Sequence, residues 1–236
     1  MLGLDPLTIP SMIILAASQG CPKHEPTKIN IVPQTEKVEY DYSQTLKQIQ
    51  QYSTDTVDPY GFHGQTITQG FMNGQIELRH KIRFGQVKNP KFNIACIWYN
   101  DITVEIKIDP TIVIARELYQ DRCMRNAILG HELKHVRVDR EIVNKYAKSM
   151  GRKLYDALKS RGFEAGPISL ERINEVSLKM QTVVKQILEL EYKKMGIERE
   201  ERQRAVDSLE EYNSVDAKCP SFQKRKQQLY STLLGR

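Results

Sequence analysis

The period of the hydrophobic pattern changes once along this chain, near Asp109-Pro110, and that change limits the fold more than any other feature. Before it, apolar and β-branched residues alternate with polar ones in Lys28-Ile-Asn-Ile-Val32, Gln75 to Phe84 and Ile102 to Ile108. A period of two places one face of each segment inward, the pattern of a half-buried strand. Gly70, Asn73-Gly74 and Asn89-Pro90 read as turns between these strands. One short helix is expected near Ser43 to Tyr52. After residue 110 the period lengthens to that of a helix. About 120–160 reads as one long helix, ended by Arg161-Gly-Phe-Glu-Ala-Gly-Pro167. A second starts near Ser169 as N-cap and continues past Gly196 into a charged stretch, Glu198 to Asp216, and a last short helix follows Pro220. The expected fold is α+β: a small, mainly antiparallel sheet in the N-terminal half, followed by long helices.

Within the first long helix stands His131-Glu-Leu-Lys-His135, an HExxH pattern. Residues i and i+4 of a helix lie one above the other, so both imidazoles can reach one tetrahedral Zn²⁺. Glu132 is rotated by about 100° from His131, which sets its carboxylate beside such a metal as a general base for water. Met124, Ile128, His135, Val138, Ile142 and Tyr146 all fall within about 60° of His131 on a helical projection. Both histidines therefore sit in the core-facing stripe. Two core histidines without a metal would need partners for all their ring nitrogens, whereas a shared ion accounts for two at once.

A catalytic zinc needs a third protein ligand. Asp139 is about 12 Å from His131 along a straight helix, too far to share its metal. It is better placed to fix the tautomer of His135. If residues 161–168 turn the chain back as a helical hairpin, positions 131–135 face about 194–198. Glu191 shares the apolar stripe of Ile173, Met180, Val184 and Ile187 there, which makes it the expected third ligand, with Glu198 in reserve. His63, in a Gly-rich turn, and His80, in an alternating strand, read as loop and strand-surface residues.

With these residues in order, the chain resembles a bacterial family of predicted secreted zinc-dependent proteases over about residues 36–218. The likeness runs from Gly64-Gln-Thr66, through strands closing on Cys96 to Ile108, to the HExxH helix and the helices after it. It implies a zincin-like domain with His131 and His135 as ligands and Glu132 as base. Relatives carry a Tyr-Asp-x-x-Thr-x-His-Gly-like segment near the end. The nearest stretch here, Tyr212 to Cys219, lacks the His and Gly and leaves Asp216 as its one candidate ligand.

The N-terminus reads as a targeting segment. Ile9 to Ala17 is apolar but too short to span a bilayer, and Ala16-Ala-Ser-Gln-Gly-Cys21 has the small residues of a cleavage site. Residues 1–20 are thus expected to be a signal or lipoprotein-type segment, 21–35 a linker and 219–236 a helical tail. Export to the periplasm or envelope follows, with membrane attachment through a lipidated Cys21. In that case Cys96, Cys123 and Cys219 allow one disulfide and leave one thiol. No C-x-x-C spacing occurs, so a cysteine-based zinc knuckle is not expected. The net charge of +6 comes from basic residues interleaved with Glu, so no nucleic-acid partner is expected.

The expected function is zinc-dependent hydrolysis of a peptide or protein substrate. The alternative is a non-catalytic helical module with a structural or vestigial zinc site, pairing with a protein partner through 198–216.

Overall fold

The structure is a computed structural model and describes residues 20–52 and 67–234. The segment 1–19 and His63 lie outside them. Five strands form one sheet: β1 (Lys28–Thr35), β2 (Glu39–Asp41), β3 (Gly70–Asn89), β4 (Ile94–Ile114) and β5 (Glu164–Ser169). The helices are α1 (Leu46–Ile49), α2 (Arg116–Tyr119), α3 (Arg122–Arg161), α4 (Ile173–Val206), α5 (Leu209–Ala217) and α6 (Gln223–Leu234).

β4 is the axis of the sheet. Along one edge it pairs antiparallel with β3 over nearly its whole length, through the Asn89-Pro90 turn read from the sequence. The other edge is shared end to end by β5, β1 and β2. β1 and β2 both run parallel to β4, and β5 antiparallel. The α+β class holds, but the small, mainly antiparallel, N-terminal sheet is corrected on three counts. Its β1-β4-β2 path is parallel, its two longest strands are 21 and 20 residues long, and β5 joins it from beyond α3. Alternation reports which face of a strand is buried; it carries no information on the direction of the neighbour.

β4 also runs through Asp109-Pro110, where the sequence suggested a break. Pro110 is tolerated because β1 pairs only up to Ile108 and β2 begins at Thr111, so no strand needs its missing N–H on that edge. The segment read as a linker is built into the sheet, since Lys28–Thr35 is β1 itself.

On one face of β4, Ile102, Val104, Ile106 and Ile108 are fully buried. Each contributes about 1.5–3 kcal/mol relative to exposure. They pack against Ile142, Tyr146, Met150, Leu154 and Leu158 of α3 and Met180, Val184 and Leu188 of α4. A second cluster joins Phe71, Met72 and Ile112 to Ala115 with Met124, Ile128 and Val136 of α3, and with Val215 and Phe222. His131 and His135 lie on α3 where these two cores meet.

α3 matches its expected span. Asp121 caps it by accepting from Cys123 N at 2.9 Å and Met124 N at 3.1 Å, and Gly162, at φ +100°, ends it. Ser169 precedes a 3-10 turn (Leu170–Arg172) without a side-chain capping bond, and α4 begins only at Ile173.

All four cysteines are paired, Cys21 with Cys96 and Cys123 with Cys219. A sulfur held in a disulfide cannot carry a lipid thioether, so the lipidated Cys21 and the single disulfide are both corrected. None of the described helices is long and apolar enough to cross a membrane.

Candidate metal centre

α3 presents His131 and His135 on one face, and the opposing residue is Asp207, at the end of α4. His131 Nε2 lies 3.2 Å and His135 Nε2 3.1 Å from Asp207 Oδ1, and the two Nε2 atoms are 3.4 Å apart. All three side chains are buried, and together they form a possible metal-binding triad. A tetrahedral zinc with bonds of about 2.0–2.1 Å has ligand-to-ligand edges of about 3.3–3.4 Å. The observed separations fit that figure, and two imidazole nitrogens with one carboxylate oxygen are a donor set zinc takes readily.

The electrostatics agree with a site built for a cation. Burial opposes ionisation of Asp207, but hydrogen bonds from both histidines outweigh it and hold its carboxyl below the usual range. For His135, burial disfavours the imidazolium, yet Asp207, Glu132 and Gln203 raise its pKa to about 9. Glu132 is buried beside the pair and its pKa is pushed up by that burial, against the opposing pull of both histidines. Its carboxylate takes the backbone N–H of Met72 on β3.

Outer contacts orient the two imidazoles. Glu211 Oε1 approaches His131 Nδ1 at 3.6 Å and also pairs with Lys134. Gln203 Oε1 is 2.6 Å from His135 Nδ1, and Gln203 Nε2 is 2.6 Å from Asp139 Oδ1. Asp139 thus reaches His135 through Gln203 rather than directly.

Glu191 is not a ligand. It is buried as its position on the stripe implied, but it bonds Ser149 at 3.1 Å and Lys194 at 2.7 Å, away from the triad. Glu198 pairs with Lys145 and Tyr146. The side chain of Asp216 lies outside the described set. The expected register failed for a definite reason. The chain does not turn straight back after α3; it first lays β5 along β4 and makes the 3-10 turn. The helices therefore meet further along, and His131 faces Asp207 where a direct hairpin would have faced it with Glu198.

Two signals for Asp207 were present in the sequence. Arg199, Gln203 and Asp207 continue the four-residue spacing of the buried stripe after Met195 with polar side chains, mirroring His131, His135 and Asp139. Ser208-Leu-Glu-Glu211 is also a capping-box pattern, and Ser208 Oγ accepts from Glu211 N at 3.3 Å at the start of α5. That start breaks the expected 198–216 helix directly after Asp207.

Comparisons with protein-family models, with curated proteins and with solved structures found no match.

Proposed function

We propose that the protein is an exported zinc-dependent hydrolase that cleaves peptide bonds. The observation that carries this reading is the convergence of both HExxH imidazoles on a third, carboxylate ligand, with a buried glutamate beside them. A structural zinc is closed by four protein ligands, while a hydrolytic one keeps three and leaves a position open. Among the described residues the group has three members.

Zinc held by His131, His135 and Asp207 would act as a Lewis acid, polarising a substrate carbonyl and acidifying water. Glu132 accepts the proton of the attacking water and returns it to the leaving amine. Its raised pKa suits that double role, because a base whose pKa lies nearer the working pH can both take and give the proton. Lys134–Glu211 and Gln203 hold the two imidazoles in place during the exchange. Two disulfides support an oxidising compartment, in keeping with export.

The test is Glu132→Gln, assayed with zinc-loaded protein on a mixed peptide library. Zinc should stay bound while cleavage falls by about 100-fold or more. Cleavage at the unmodified rate would remove Glu132 from the mechanism, and zinc-loaded wild-type protein that cleaves no peptide would remove the peptidase reading.

A further inference from the structure

We propose that Gln203 is the positioning residue that fixes the tautomer of His135 and so delivers its Nε2 to the metal, with Asp139 and Arg199 fixing Gln203 in turn. The assignment rests on the metal-centre reading above. It adds a chain of residues outside the HExxH motif on which that centre depends.

A chain of hydrogen bonds runs inward from Arg199 through Asp139 and Gln203 to His135. Arg199 donates twice to Asp139, from Nε at 2.7 Å and from a terminal nitrogen at 3.0 Å. A fully buried carboxylate held in that fork offers only acceptors. Gln203 Nε2 faces this carboxylate at 2.6 Å and the carbonyl oxygen of His135 at 3.2 Å. Both neighbours accept and neither donates, so the NH₂ end of the amide must point at them. That leaves Gln203 Oε1 facing His135 Nδ1 at 2.6 Å. An amide oxygen only accepts, so Nδ1 carries the proton. The neutral imidazole then keeps its lone pair on Nε2, the nitrogen 3.1 Å from Asp207 Oδ1 and 3.4 Å from His131 Nε2. In the metal-free protein a proton on Nε2 bridges to Asp207, and a bound metal would take that lone pair in its place.

The chain is anchored at its outer end. Arg199 also donates to the backbone oxygen of Gly74 on β3 at 3.0 Å, so the guanidinium is held by the sheet as well as by α3. Sheet, α3 and α4 must all be assembled before His135 presents Nε2 correctly. Gln203 itself is buried, and an apolar side chain there would leave His135 Nδ1 and one oxygen of Asp139 without these bonds.

The experiment combines chelator-competition titrations of Zn²⁺ with long-range ¹H–¹⁵N correlation spectra of the imidazoles, on full-length wild type, Gln203→Leu and the Gln203→Glu/Asp139→Asn double variant. In the zinc-loaded wild type, His135 should show a protonated Nδ1 and a metal-bound Nε2. Zinc affinity should fall about 10–100-fold in Gln203→Leu, with loss of the single tautomer signature. Gln203→Glu, made together with Asp139→Asn so that a donor faces the new carboxylate, keeps an acceptor at Nδ1 and should retain the tautomer. Metal on His135 Nδ1 overturns the proposal, as does unchanged affinity in Gln203→Leu. The wild-type spectrum decides the point even if the leucine variant does not fold. If Zn²⁺ shifts neither histidine in the wild type, the metal-centre reading fails, and this assignment with it.

Discussion

His135 Nε2 and Asp207 Oδ1 lie 3.1 Å apart although 72 residues separate them, one in the first half of a 40-residue helix and the other at the break between two others. The break matters. An unbroken helix would carry its backbone straight on, whereas α4 ends at Val206 and Asp207 turns inward before Ser208 starts α5.

Asp207→Ala should therefore abolish stoichiometric zinc, as should the His131→Ala/His135→Ala double variant. Loss of a direct ligand exceeds the roughly 10–100-fold cost of losing an outer partner. Glu191→Gln should keep one zinc per chain. Metal analysis of protein purified without chelators checks all three, and zinc loss in Glu191→Gln with retention in Asp207→Ala would reverse the ligand assignment.

Zinc binding should release protons and tighten with pH. His135 in the metal-free protein titrates near 9, so at neutral pH a proton occupies the nitrogen the metal needs. Affinity should rise by about tenfold per pH unit between about pH 7 and 9 if this one proton dominates. The stability of the metal-free protein runs the other way. A folded-state pKa raised above the usual His value of about 6.5 contributes stability that is complete below that value and lost as pH climbs through about 9. The raised Glu132 acts with the same sign. Thermal melts of metal-free protein should fall across this window, while zinc-loaded protein should not follow them.

The Cys123–Cys219 disulfide ties the first turn of α3 to the segment that follows α5. The Cys123→Ser/Cys219→Ser variant should lose about 2–4 kcal/mol in urea unfolding. It should also bind zinc more weakly, because α5 carries Glu211 against His131. Removing Cys21–Cys96, which fastens the N-terminal segment to β4, should lower stability and leave zinc affinity unchanged. Equal effects of the two on zinc would separate α5 from the site.

At Gly70, β3 lies against both β4 and α3 with no room for a side chain. A Cβ there would stand 2.6 Å from the backbone oxygen of Val113 and 2.7 Å from Ile128 Cγ2, one turn before His131. Gly70→Ala should cost about 1–3 kcal/mol, read from denaturant midpoints. A neutral result would mean that β3 and α3 can separate there without loss.

Local physics made much of this protein readable in advance. The span of α3 follows from its apolar stripe and the glycine at its end. The face of β4 follows from alternating isoleucine and valine, and the pairing of His131 with His135 from helical spacing alone. All of these depend on residues within a few positions of one another.

What the sequence could not determine by itself was anything set by how distant elements meet. The parallel pairing of β1 and β2 with β4 depends on where the chain re-enters the sheet, and alternation is blind to that direction. The lipid anchor on Cys21 gave way to a disulfide because folding brings Cys96, 75 residues on, into bonding range. The residue that joins the two histidines in the possible metal-binding group is Asp207 and not Glu191, because β5 occupies the stretch expected to be a simple turn, which displaces α4 along α3. Helical periodicity fixes the angle at which a side chain leaves its own helix. The level at which it meets another helix is fixed by the length and path of the connection, and here that path runs through the sheet.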